Sequence, residues 1–216
     1  MLAKGQFCQD CPLRDKGVGF VPDLLSSNAE YVFKGEAPGG NEVQQDKPFV
    51  GKAGFALKHW MMQAVSKLKI ADEKGLITYA NTLRCLPPEK QGRAYPTGVE
   101  KEQAEKCCSQ YDNWGNAHTV ILLGGSAQYA YFREELEAED LTDKKLGHEL
   151  KGVMGRSGRV YNKDGKRWVF ALHPAFILRQ PSLVEHGQRA LAIAANETKV
   201  LEVQYITWET ALQELA

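Results

Sequence analysis

Hydrophobic positions along this chain follow two alternating patterns. Short apolar or β-branched runs recur at Glu30–Lys34, Ile77–Ala80, Thr119–Leu123 and Trp168–Leu172. Runs of this kind suit strands buried on both faces. Between them, helical spacing takes over. Leu57, Trp60, Met61, Ala64, Val65 and Leu68 recur at helical intervals and predict a helix over 53–69 with one core face. Further helices are predicted over 100–115, after Gly124-Gly125-Ser126, and over 185–203. Asn162-Lys163-Asp164-Gly165 predicts a hairpin leading into the last strand. Residues 1–29 and 86–98 read as irregular, as does the loop after His173. Strands alternating with helices predict an α/β fold, with a mostly parallel sheet covered on both faces. Sites in such sheets lie beyond the carboxyl ends of strands. Gly35–Gly39, Asn81 and His173-Pro174 fall at those ends.

The 216 residues suit one α/β domain. No apolar run approaches the roughly 20 residues that span a bilayer. The N-terminal residues lack the apolar core of a secretory signal. A cytoplasmic protein with no membrane contact is expected. The 27 Lys and Arg balance the 27 Asp and Glu, which argues against a general nucleic-acid coat but not against local DNA binding. Charge is unevenly spread. Lys151, Arg156, Arg159, Lys163, Lys166, Arg167 and Arg179 meet one acid, Asp164, within their span. Glu134, Glu135, Glu137, Glu139 and Asp140 form an acidic run without a base. These read equally as solvated faces or as a basic face beside a site.

The chain has 5 cysteines and no export signal, so a disulfide framework is not expected. Cys8 and Cys11 form a C-x-x-C pair, Cys85 follows a strand, and Cys107 and Cys108 share a predicted helix. Four thiolates drawn from these groups suit zinc or an iron–sulfur cluster. The pattern does not choose between them. Helical neighbours point about 100° apart, so one of Cys107 and Cys108 is the bystander. Gly35–Gly39 lacks the lysine and hydroxyl of a phosphate loop and the G-x-G-x-x-G of a dinucleotide site.

Gly35-Glu36-Ala37-Pro38-Gly39, then Glu42, then Pro48-Phe49-Val50-Gly51-Lys52-Ala53-Gly54, resembles the first signature of the family 4, iron–sulfur uracil-DNA glycosylases. Asn81-Thr82-Leu83-Arg84-Cys85-Leu86-Pro87-Pro88 is similar to their second block. Leu172-His173-Pro174-Ala175, followed by Ile177-Leu178-Arg179, is similar to their third. Cys8–Leu13 and Gly152–Gly155 match flanking segments, and the blocks stand in family order.

That resemblance implies a three-layer α/β/α sandwich around a four-stranded parallel sheet over residues 1–200, with 201–216 as an extension. It implies a mainly structural [4Fe–4S] cluster on Cys8, Cys11, Cys85 and Cys107. The implied activity flips uracil out of DNA and hydrolyses its N-glycosidic bond, leaving an abasic site. His173 matches the residue that hydrogen-bonds uracil O2 as charge develops. Losing such a donor costs about 10²–10³ in rate. Asn81 matches the residue that reads the uracil edge, since its amide both donates and accepts. Phe49 matches the ring that stacks on the flipped base, a contact worth roughly 1–3 kcal/mol. Glu36 and Glu42 are the acids of the first block, and Glu36 is preferred for orienting water. Gly35, Ala37 and Gly39 would line the uracil site, Gly39 and Gly51 letting backbone approach it closely. Leu178 is the candidate wedge, and Arg179 and Lys52 are candidate DNA contacts. A monomer acting on uracil-containing DNA is expected, with the C-terminal tail a candidate protein contact.

The chain also departs from the family. Its Cys85-to-Cys107 interval is longer, with the extra residues in 89–98, which keeps Cys108 open as the fourth ligand. Asp46 stands where the family has glycine. The histidine-bearing loop of the cross-linking relatives is not evident near Arg179, so capture of abasic DNA is not expected. Three other readings are a glycosylase for another base, a non-catalytic DNA-binding or replication accessory module, and a zinc-stabilised module.

Overall fold

A computed structural model describes residues 6–90, 93–94, 98–146 and 152–197. Its strands are β1 (Val18–Phe20), β2 (Tyr31–Gly35), β3 (Ile77–Asn81), β4 (Cys85–Leu86), β5 (Glu89–Lys90), β6 (Arg93–Ala94), β7 (Thr119–Leu123), β8 (Val160–Lys163) and β9 (Lys166–Ala171). The helices are α1 (Gly40–Gln45), α2 (Lys52–Phe55), α3 (Ser66–Glu73), α4 (Val99–Ser109), α5 (Gly124–Leu146), α6 (Gly152–Arg156), α7 (Pro174–Arg179) and α8 (Val184–Ala194).

The central 5-stranded sheet runs β3-β2-β7-β9-β8. The strands β3, β2, β7 and β9 are mutually parallel, as expected, and β8 adds an antiparallel edge. That edge is the predicted hairpin. Asp164 (φ 52) and Gly165 (φ 70) both take left-handed conformations, as a two-residue turn matched to strand twist requires. The chain leaves β2 toward β3, then crosses back to β7 and β9. That reversal opens a crevice at the carboxyl ends of the strands. Register sets Gly35 beside Asn81 there.

Alternate strand residues build two cores. Tyr31, Phe33, Ile121, Leu123, Val169 and Ala171 pack with Trp60, Met61 and Leu191 on one face. Val32, Val120, Leu122, Trp168 and Phe170 pack with Ala127, Phe132 and Leu136 of α5 on the other. Both faces are therefore covered, which makes the predicted three layers.

Several predicted elements need correction. The helix expected over 53–69 is segmented. After α2 come a π turn over Ala56–Met61 and a 3-10 turn over Met62–Ala64, and Val65 is extended (φ −120, ψ 96) before α3. Its six apolar side chains are all buried nonetheless, so packing outweighs helical regularity here. The segment 86–98 is not plain loop: β4 pairs with β1, and β5 with β6. Helix α4 ends before 115 because Asp112 turns inward to buried cations. Helix α8 stops before 203 because Asn196 (φ 53) takes the left-handed stop conformation. The segment after His173 is helix α7, with His173 at its N-cap and Pro174 in its first turn. Lys151 and 201–216, with the proposed docking tail, lie outside the described residues.

The two charged runs meet each other. Arg159 pairs with Glu139 at 2.5 Å, Lys163 with Glu135 at 3.1 Å, and the buried Arg156 with Asp140. Lys166 and Arg167 donate to the carbonyls of Ala117 and Ala194. The basic run thus docks largely on α5 and on backbone, and a basic DNA-binding face is not what it forms. Among the described residues no helix is long and apolar enough to cross a membrane.

Helix α3 has no local side-chain cap. Glu197 supplies one from across the chain, accepting from Ser66 N at 3.1 Å, Ser66 Oγ at 2.6 Å and Lys67 N at 2.7 Å. A carboxylate at a helix N-terminus satisfies orphan amides and opposes the helix dipole. Glu197→Ala is expected to lower stability by about 1–2 kcal/mol in urea unfolding.

Candidate active site

The crevice holds a cavity of about 330 Å³. Ala37, Gly39, Glu42, Phe49, Lys52, Asn81 and His173 line it, together with Pro38, Asn41 and Ala53, which the sequence reading did not single out. They come from the end of β3, from the segments after β2 and β9, and from α1, α2 and the loop joining those two helices.

Gly35 ends β2, and its lack of a side chain is used. A Cβ there would stand 2.5 Å from Asn81 Oδ1 and 2.9 Å from Phe49 Cζ. The amide and the ring therefore meet over bare backbone. Asn81 is buried at the end of β3. Phe49 sits at φ 56, a conformation that costs an aromatic residue on the order of 1–3 kcal/mol. Its ring lies 5.6 Å from that of Tyr79. Gly54 presses on it from below, since a Cβ there would lie 2.0 Å from the Phe49 carbonyl oxygen.

Glu42 is buried, and both of its oxygens are engaged: Gly39 N donates at 3.1 Å and Gly51 N at 2.8 Å. This carboxylate ties one lip of the cavity to the other. Expected as a candidate for handling water, it is instead committed to backbone. Asp46 explains itself similarly. It caps α1 at φ 49, where glycine is favoured and Asp tolerated. It is exposed and is not among the cavity-lining residues.

His173 follows β9. Its Nδ1 accepts from Ala175 N at 3.1 Å, which leaves Nε2 to carry the proton of the neutral ring. Burial pushes its pKa down, and Arg179 adds to that against an opposing pull from Glu36. The imidazole therefore stays neutral at neutral pH. Gly124 backs it closely, at φ +84, where a Cβ would lie 2.8 Å from His173 Cβ.

Glu36 is not brought into the cavity lining. Its half-exposed carboxylate turns to Lys101 Nζ at 3.1 Å. Partial burial pushes the Glu36 carboxyl up, but the charge of Lys101 and its polar surroundings outweigh that and hold it below the ordinary range. Glu36 and His173 are close enough to influence each other's ionisation. Lys101 and Ser126 carried no sequence signal. Arg179 is exposed, its guanidinium 5.9 Å from the Phe176 ring. Leu178 is only partly buried and packs against the core. Neither lines the cavity.

Cys8, Cys11, Cys85 and Cys107 pack into one buried cluster with Leu13, Leu83 and Ala104, and Cys108 is not part of it. None is in a disulfide. The ribbon β1–β4 sets Phe20 against Cys85. Gly17 lets the N-terminal loop close there, since a Cβ on it would lie 2.8 Å from Cys85 Cβ. Burial, the other thiols adding to it, pushes the Cys11 thiol up. Burial pushes the Cys107 thiol up as well, and four thiols packed together form a donor set that a positively charged centre would relieve. Among the described residues no group of three or more His, Cys, Asp or Glu is drawn into place around a single ion. The Cys108 carbonyl accepts from Arg84 Nη1.

A parallel α/β/α domain with a small polar pocket, one stacking ring, one buried amide and a neutral imidazole is the architecture of a base-recognising site. The chain belongs to the uracil DNA glycosylase superfamily, whose family model matches residues 22–198, and within it to the type-4 uracil-DNA glycosylases. The type-4 uracil-DNA glycosylase of Archaeoglobus fulgidus is 31% identical over 188 residues, covering 82% of this chain and 81% of that protein. That of Saccharolobus solfataricus is 32% identical over 184 residues, covering 82% and 74%. That of Pyrobaculum aerophilum is 28% identical over 189 residues, covering 86% and 87%.

Gly35→Ala is expected to displace Asn81 and Phe49 and to cost roughly 1–3 kcal/mol in urea unfolding. Gly40→Ala, whose added Cβ meets nothing within 4 Å, should change stability by no more than about 0.5 kcal/mol.

Proposed function

We infer that this protein excises uracil from DNA, hydrolysing the N-glycosidic bond and leaving an abasic site. The observation that carries this is the convergence of a neutral, Nε2-protonated His173, the buried Asn81 amide and the strained Phe49 ring on one small cavity. The family membership supports it.

The reacting base lies inside the duplex stack, so the nucleotide must be extruded, at a few kcal/mol of unstacking. Phe49 offers the flipped base a face. Asn81 offers its edge one donor and one acceptor. The bond from C1′ to the base breaks with its electron pair leaving on uracil. A neutral imidazole suits that anion, because Nε2–H donates to the oxygen where charge develops without first protonating it. Water adds to C1′ and gives its proton to a carboxylate. Glu36 fills that role because it is held ionised and near His173, whereas Glu42 is used by Gly39 and Gly51. Glu42 acts by holding the lips of the pocket at fixed separation. Lys52 and Arg179 flank this region and contact the DNA backbone, and Leu178 takes the space left by the flipped base.

The clustered thiols Cys8, Cys11, Cys85 and Cys107 hold a [4Fe–4S] cluster, which pins the N-terminal loop, β4 and α4 together. Two observations support that set: the four share one packed cluster, and Cys108 lies outside it. Cys107→Ser is expected to abolish the brown iron–sulfur absorbance of anaerobically prepared protein, and Cys108→Ser to keep it. Stoichiometric zinc without sulfide in the untouched protein would sink this assignment.

The function is tested with a uracil-containing oligonucleotide, treated with alkali after incubation. Cleavage at uracil is expected, and His173→Ala should slow base release by about 10²–10³. Tight DNA binding with no base release would contradict the reading.

A further inference from the structure

Lys101 is a residue the reaction as derived does not use. It projects from α4, and its Nζ lies 2.8 Å from Ser126 Oγ and 3.1 Å from Glu36 Oε1. One ammonium therefore joins the Ser126 hydroxyl to the Glu36 carboxylate in a single bridge. Three elements meet in it: α4, the first turn of α5, and the segment after β2. An ordinary helix-surface lysine would favour its own (i, i+4) acid. Here that acid, Glu105, is farther away at 3.9 Å, and Lys101 leans to a partner 65 residues distant.

The same helix grips the cysteine region. Gln103 Nε2 donates to the Asp10 carbonyl at 2.8 Å, and Cys107 packs in the same buried cluster as Cys8 and Cys11. Just past the helix end, the Tyr111 hydroxyl accepts from Phe7 N at 3.0 Å. One element therefore contacts the C-x-x-C loop at several points and Glu36 at another.

We propose that Lys101 is a positioning residue for base excision, fixing the Glu36 carboxylate beside the pocket and tying it to the helix that carries Cys107. This rests on the proposed function and on Glu36 as the water-orienting group. A surface ion pair alone would be worth little. Here the carboxylate is half-exposed and the lysine 24% exposed, and the Ser126 hydroxyl accepts a second bond from the same ammonium, which holds Lys101 in place against Glu36. The charged and polar groups facing Glu36 are Lys101 and Glu105 from α4, Ser126 from α5, and His173 from the end of β9. Without Lys101 the main opposition to burial is gone and the carboxyl titrates higher. Glu36 must be ionised to work, so activity is lost as pH falls through its pKa. Removing Lys101 therefore moves that loss to higher pH.

The test is single-turnover uracil release by the full-length, metal-loaded protein, followed across the acid range. Lys101→Met should slow release about 10-fold at neutral pH and shift the acid limb upward, while Lys101→Arg should keep the limb in place. In a Glu36→Gln background, Lys101→Met should change the rate by less than about twofold, because the two residues act as a unit. Iron–sulfur absorbance read in parallel should be unchanged. Lys101→Gln runs the same cycle if the methionine variant does not fold. An equal effect in both backgrounds, an unmoved acid limb, or absorbance lost in step with activity overturns the assignment. Absence of uracil release from the unmutated protein overturns the proposed function itself, and that is seen before any variant is made.

Discussion

Lys34 is fully buried, and the carboxyl end of the sheet is organised around what neutralises it. Asp112 takes Lys34 Nζ at 2.5 Å, Arg84 Nη2 at 2.9 Å and the Tyr131 hydroxyl at 2.6 Å. Arg84 is held on its other side by both oxygens of Asp23. Two cations face two anions, so formal charge cancels inside the protein. Burying an ion costs several kcal/mol unless good geometry and further hydrogen bonds repay it. Burial pushes Lys34 down, while Asp112 pulls it back up. The rings of Trp114 and Tyr131 lie within 5.6 Å and 5.8 Å of its ammonium, placing π faces where water would otherwise be needed. The arrangement tolerates little displacement, because a shifted member would leave a buried charge unpaired.

That intolerance positions the functional residues. Lys34 immediately precedes Gly35 and Glu36. Arg84 immediately precedes Cys85 and also bonds the carbonyl of Cys108. Asp112 follows α4, which carries Cys107 and Lys101. The network thus sets the end of β2, the start of β4 and the end of α4 in one register. The pocket and the thiol cluster are neighbours of the same ionic core, not separate inventions. Local strain can then persist at the site. Phe49 keeps its left-handed backbone because Gly54 presses beneath it and Glu42 pins Gly51 two residues on. A residue in such a conformation survives only where its surroundings over-determine it.

The strands were legible because burial on both faces leaves continuous apolar runs, and the hairpin because Asp164-Gly165 meets a demand that few residue pairs meet. The site was legible as motif blocks, with Asn81 at a strand end, His173 just beyond one and Phe49 in the loop between α1 and α2. Other features were not. Lys101, Ser126 and the Lys34–Asp112 pair act through partners distant in sequence, and nothing in a linear pattern marks a lysine that will be buried. The helix over 53–69 broke because its apolar face could be satisfied without regular hydrogen bonding. The charged runs misled for the opposite reason. Each looked like a surface, and folding laid much of one upon the other. Asp46 read only as a departure from the family glycine, and it answers to a left-handed backbone angle that glycine would also satisfy.

The pairing of those runs bears on how DNA would be recognised. Affinity for the phosphate backbone scales with the cations left to replace condensed counterions. Arg156, Arg159 and Lys163 are engaged with α5, and the chain carries no net charge. Phosphate contacts position a protein on DNA but carry no sequence information. Discrimination of one base from another therefore falls to the pocket, where the buried Asn81 amide and the Phe49 ring meet over Gly35. Rigidity of the pocket is the condition for that, because a loose ring or amide would pay its ordering entropy at the moment of binding. The buried ions, the Glu42 clamp and the Lys101–Glu36 pair tie the loops around the site to the rest of the fold.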